Sequence, residues 1–81
     1  MMLKIKVFVT LKEGVLDPQG KAVEQALVSL GFKNTSQLRV GKYITFQLEA
    51  ATLEKAKAEV KEMCEKLLAN TTIESYSFAV E

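Results

Sequence analysis

Between Val9 and Ala22 the chain passes from a strand period, through a turn, into a helix start, and this junction leaves few folds open. Ile5, Val7, Val9 and Leu11 alternate with Lys4, Lys6, Phe8 and Thr10, the period of a strand with one strongly apolar face. Gly14 tolerates positive φ and ends the strand in a turn. Asp17 stands at a helix N-cap, and Pro18 takes the first helical position, where its missing N–H costs nothing. Asp17 also brings negative charge to the positive end of the helix dipole.

The remaining elements follow from period and punctuation. The first strand runs Leu3–Leu11. The first helix runs Pro18–Leu30, with Val23, Ala26, Leu27 and Leu30 on one side and Lys21, Glu24 and Gln25 facing out. Gly31 follows at the C′ position, and Phe32 is placed for a Schellman ending against Leu27. Asn34–Val40 reads as a short second strand, with Leu38 and Val40 inward. Gly41-Lys42 is a tight connection to a third strand, Tyr43–Leu48, so the two form a hairpin. Thr52 caps a second helix that runs to about Ala69. Its apolar stripe is Leu53, Ala56, Val60, Met63, Cys64 and Leu67, and Glu62 and Lys66 make an i,i+4 pair on the outer side. Asn70 serves as C-cap or C′ residue. A last strand spans Thr72–Val80, with Tyr76, Phe78 and Val80 on one parity and Ser75, Ser77 and Ala79 on the other. Which parity is buried stays open.

This order predicts a single α+β domain over residues 1–81, a ferredoxin-like βαββαβ unit. Its four-stranded antiparallel sheet would carry two helices on one face. Nothing in the chain is left to cover the other face, which holds Phe8 and Thr10 from the first strand and Tyr43, Thr45 and Gln47 from the third. Aromatics among those polar residues predict that the face packs on a second copy or on another protein. A chain of 81 residues buries only roughly 60% of its unfolded surface, so association is a natural source of stability.

Composition narrows the function. Eleven basic and ten acidic side chains give a net charge of +1, which is no electrostatic footprint for nucleic acid or an anionic membrane. No hydrophobic run is long enough to span a bilayer. The lone Cys64 has no internal disulfide partner, and a cytoplasmic location is expected. There is no histidine, no Cys-x-x-Cys and no glycine-rich phosphate loop, so no metal site and no base–nucleophile pair is expected. Cys64 and Met63 read as core. Two other classes share the topology. One is an RNA-binding module, weakly suggested by Arg39-Val40-Gly41-Lys42-Tyr43-Ile44-Thr45-Phe46, although Thr45 stands where a stacking aromatic is needed. The other is a small-molecule regulatory module, whose ligand loops are not recognisable here. An interaction or assembly role leads.

The stretch Val7–Gly20, which contains Leu16-Asp17-Pro18-Gln19-Gly20, resembles the opening of the PurS family, the small subunit of phosphoribosylformylglycinamidine synthase. Leu30-Gly31-Phe32, Leu38–Tyr43, Met63–Thr71 and Ile73–Tyr76 are similar to the same family. The resemblance implies a small subunit with no active site of its own. Its enzyme makes formylglycinamidine ribonucleotide from formylglycinamide ribonucleotide, glutamine and ATP, in purine biosynthesis. The implied partners are a glutaminase subunit (PurQ) and a synthetase subunit (PurL), with ATP and Mg on the latter and no cofactor on this chain. A homodimer or tetramer is implied too. The residues near loops that would meet partners are Lys12, Asp17, Gln19, Arg39, Lys42 and Tyr43. Phe8, Thr10, Tyr43 and Thr45 would form the self-associating sheet face.

Overall fold

A computed structural model describes all residues, 1–81. Its centre is β1 (Met2–Leu11), paired antiparallel with β2 (Lys42–Glu49) on one side and β3 (Glu74–Val80) on the other. Ile5 stands opposite Phe46 and Val80, and Val7 opposite Ile44 and Phe78. The odd positions of β1 therefore share one face with the even positions of its neighbours. Ile5, Val7 and Val9 are fully buried there. The register also settles the last strand, because Tyr76, Phe78 and Val80 pack on this core and Ser75, Ser77 and Ala79 face away.

α2 (Leu53–Met63) lies over that face. Thr52 caps it, its hydroxyl accepting from the Lys55 N–H at 3.1 Å. Ala56 and Val60 are buried beneath it. The helix then widens into a π-helical turn, Cys64–Leu68, closed by the Ala69 N–H donating to the Cys64 carbonyl at 3.0 Å. This extra residue per turn rotates the following side chains. Leu67, expected in the apolar stripe, is 84% exposed, while Leu68 and Ala69 turn onto the core in its place.

The sheet has three strands, not four. Residues 33–41 form no strand, and there is no Gly41-Lys42 hairpin. Gln37 sits at φ 55, outside extended backbone. The Val40 N–H, which a strand would spend on its ladder, donates to the Asp17 carboxylate at 2.9 Å. Leu38 is half-buried rather than inward-facing core, and Val40 is exposed. β2 is consequently an edge strand.

The two helices do not share one face. α1 (Pro18–Ser29) forms as its end signals require. The Asp17 carboxylate accepts from the Gly20 N–H at 3.0 Å, with Pro18 at the first helical position. At the other end Gly31 adopts φ 102, the Phe32 N–H donates to the Leu27 carbonyl at 2.9 Å and the Gly31 N–H to the Val28 carbonyl at 3.0 Å. That is a complete Schellman ending. Yet no α1 residue belongs to the core or packs on it, and Gly20 is its only buried position. Val23, Val28, Leu30 and Phe32 are exposed. The helix projects as an arm, so the molecule measures 51 × 24 × 14 Å with a radius of gyration of 16.1 Å. A compact chain of this length would have about 12 Å.

Candidate functional site

The arm leaves β1 at Leu11 and returns at Lys42, which faces Val9 across the sheet. Its two ends are fastened to each other. The fastener is Asp17, whose carboxylate is buried and spans the Gly20 N–H of α1 and the Val40 N–H of the returning segment. These two donors, with the Arg39 charge adding to them, hold the Asp17 carboxyl below the usual carboxylate range. On the other side of the same segment, the Arg39 guanidinium donates to the Val15 carbonyl at 2.6 Å.

Two glycines make the fastener possible. A Cβ on Gly20 would lie 2.6 Å from the Asp17 carboxylate and 2.7 Å from the Leu38 carbonyl. One on Gly41 would lie 2.5 Å from the Val9 carbonyl. Both positions therefore require the missing side chain, for close approach of backbone to backbone.

Asp17, Gln19 and Lys42 line one cleft of about 210 Å³ at the end of the sheet, with Thr10 and Glu74. Lys42 reaches Glu74 at 3.5 Å across it. Of the other residues expected at a partner surface, Arg39 lies on the far side of the returning segment and Tyr43 on the open sheet face. Lys12 is exposed in the turn after β1, outside this cleft. Glu74, Gly20 and Gly41 also belong to the arrangement, and periodicity does not single them out. The signal for Gly20 was present, since glycine in the first turn of a helix is a poor choice unless something lies close.

The open face holds Phe8 and Tyr43, directly opposite each other and stacked with ring centroids 4.9 Å apart. Thr45 and Thr10 flank them, both exposed. Nearby, Lys6 pairs with Glu81 at 2.9 Å, which raises the lysine and lowers the carboxylate relative to their ordinary values.

Chemically, the cleft is a clasp. Both Asp17 oxygens are engaged by amide donors, Lys42 is held by Glu74, and no base–nucleophile pair comes together. No group of three or more His, Cys, Asp or Glu side chains converges to hold a metal ion. Cys64 is fully buried under α2, and burial, then the Glu65 charge, push its thiol up, so it stays protonated. No helix is long and apolar enough to cross a membrane.

The family model for PurS, phosphoribosylformylglycinamidine (FGAM) synthase, matches residues 4–81. This chain belongs to the PurS family. It is 51% identical to the synthase subunit PurS of Bacillus subtilis over 80 residues, covering 99% of this chain and 94% of the relative. The crystal structure of B. subtilis PurS superposes with a TM-score of 0.86 over 98% of both chains. A PurS chain in the structure of PurLQS from Thermotoga maritima is 33% identical. It superposes with a TM-score of 0.91, covering 100% of this chain and 99% of that one. The PurS subunit of Methanocaldococcus jannaschii is 45% identical over 80 residues, 99% of this chain and 96% of the relative. The α+β fold with an extended α1 arm is thus shared with solved PurS structures, and the RNA-binding and regulatory-module readings are not favoured.

Proposed function

We propose that the chain serves as the non-catalytic adaptor of a three-subunit FGAM synthase. It joins the glutaminase subunit to the synthetase subunit and helps ammonia pass between them, while ATP and Mg are handled on the synthetase partner. The single observation that carries this reading is the match to the PurS chain of PurLQS over the whole of both chains. The clasp supports it as well, because a site whose charged groups are all internally engaged is built to hold shape. Such a subunit would work in the cytoplasm with the rest of its pathway.

In this reading Lys12, Gln19, Arg39 and Lys42 contact the larger subunits from the loop end of the sheet, and Asp17 contributes by shaping that surface. The stacked Phe8–Tyr43 pair with Thr10 and Thr45 is the face on which a second copy packs, giving a dimer or tetramer.

Mixing the chain with purified glutaminase and synthetase subunits tests the proposal. Glutamine-dependent amidation of formylglycinamide ribonucleotide is expected only with all three present, while turnover on free ammonia needs the synthetase subunit alone. Full glutamine-dependent turnover without this chain would refute the adaptor role.

The loop-end assignment has its own check. Arg39→Glu and Lys42→Glu are expected to leave the far-UV circular dichroism unchanged and to weaken co-elution with the synthetase subunit. Unaltered co-elution of both variants would remove those residues from the interface.

A further inference from the structure

Leu67 and Leu68 are neighbours in the sequence, and the fold treats them as opposites. Leu67 stands 84% exposed on the wall of an open groove beside α2, while Leu68 packs on the core. At about 100° per residue, an unbroken α-helix would bring Leu67 to within roughly 20° of Val60 and 60° of Cys64. Both of those residues are fully buried. Helical phase therefore gives the inward place to Leu67, and the structure gives it to Leu68. The π-helical turn Cys64–Leu68 makes the difference, because it inserts one residue into the helix.

We propose that the end of α2 has two registers. One is the π-helical register seen here. The other is α-helical, and in it Leu67 turns in and Leu68 turns out. Such a shift goes beyond the adaptor role and needs no other chain.

Three observations meet here. The first is packing. Either register gives the core one leucine and leaves the other outside, so the buried apolar area is nearly the same. Only a doublet of like residues allows that exchange; one step earlier, Lys66 and Leu67 could not trade places.

The second is the backbone. In the present register the Ala69 N–H donates to the Cys64 carbonyl at 3.0 Å. In the α-helical register the Leu68 N–H, four residues after Cys64, takes over that carbonyl and the Ala69 N–H is released. Ala69 is buried, so its released N–H costs free energy, and the π-helical register is the populated one.

The third is room for the spare residue. The helix is already over at Ala69, which is extended at φ −129 and ψ 143. The following turn is anchored from Asn70 onward. Its carbonyl accepts from the Ile73 and Glu74 N–H groups, and its N–H donates to the Glu74 carboxylate at 2.6 Å. The shift is thus confined between Cys64 and Asn70. The helix gives up one residue, the linker gains it, and the strands stay where they are. What changes is the groove of about 780 Å³, whose wall carries Leu67 outward in one register and loses it in the other.

The test asks whether Leu67 can replace Leu68. Leu68→Glu puts a charge at the inward place, which favours the α-helical register with Leu67 turned in. Leu67→Ala is then made in the parent and in the Leu68→Glu chain, and urea unfolding is followed at one fixed protein concentration. In the parent, where Leu67 is exposed, the unfolding constant is expected to change by less than about threefold. In the Leu68→Glu chain it is expected to rise more than about tenfold, because the alanine removes the leucine that had moved in. Methyl cross-peaks in the Leu68→Glu chain should place Leu67 against the valines and isoleucine of the core. The same small effect of Leu67→Ala in both chains would overturn the two registers. So would a Leu68→Glu chain that does not fold, since Leu67 would then have failed to take its place. Neither measurement uses the larger subunits, so failure here leaves the adaptor function to be judged by turnover.

Discussion

Replacing Ile5 with alanine is expected to lower the unfolding free energy by about 3–4 kcal/mol. Ile5 is fully buried at the middle of the central strand, flanked by Phe46 and Val80, on the face that α2 covers. The core it belongs to contains only five other buried residues, Val7, Val9, Val60, Cys64 and Ala69. With one helix over three strands, there is little else to collapse into the space left behind, which places the cost in the upper half of the usual range. The whole chain is expected to hold roughly 4–12 kcal/mol, so this single change removes a large share of it. Urea unfolding at fixed protein concentration reads the effect as a fall in midpoint with an unchanged slope. The concentration must be held constant because any self-association would add to apparent stability. Leu16→Ala, at a position 73% exposed, serves as the control and should stay within about 0.5 kcal/mol of the parent. A loss below about 1 kcal/mol for Ile5→Ala would place the main source of stability outside this sheet face.

That core could be read from the sequence because it rests on alternation along β1, and alternation is enforced by the pleat. The helix ends were readable for a related reason. Asp17 with Gly20, Thr52 with Lys55, and Phe32 with Leu27 all lie within five positions of each other, so local chemistry decides them. What the sequence concealed depends on groups far apart along the chain. Asn34–Val40 has the residues of a poor strand, but its fate is decided by Asp17, which takes the Val40 N–H from far along the chain. The apolar side of α1 was visible, and the rule that such a side must be covered is sound. The rule does not require the chain's own sheet to cover it, and here Val23 and Leu30 stay exposed. An α-helical period places Leu67 in the apolar stripe, but a π-helical turn changes the phase of the helix, and no residue at Cys64–Leu68 announces one. Within the candidate site, Asp17, Gln19 and Lys42 do meet in one cleft. Their role as a clasp emerged only with the distances, because a capping aspartate and a twofold-engaged aspartate look alike in a sequence.

Gly20→Ala provides the sharpest check on that clasp, because helix propensity and the structure predict opposite signs. Gly20 is the third residue of α1, where alanine in place of glycine ordinarily stabilises by up to about 1 kcal/mol. Here the added methyl would meet the Asp17 carboxylate and the Leu38 carbonyl, both inside contact distance. The Leu38 carbonyl is backbone and has no rotamer by which to yield. The expected result is a fall in melting temperature of ~5 °C or more, in place of a rise. Acid sensitivity should change with it. The folded protein holds Asp17 below the usual carboxylate range, so its contribution is fully present above the unfolded value, about pH 4, and is lost as pH falls through the folded value. If the variant loses the clasp, its carboxyl returns towards the ordinary value and the slope of stability on the acid side becomes shallower. Glu62 and Glu81 are also held low, by Lys66 and Lys6, but these are exposed ion pairs. High salt screens them far more than it screens the buried Asp17. Thermal melts from about pH 7 down to pH 3 at high salt therefore isolate the clasp. A Gly20→Ala chain that melts higher than its parent, with the same acid slope, would show that the arm is held by something other than Asp17.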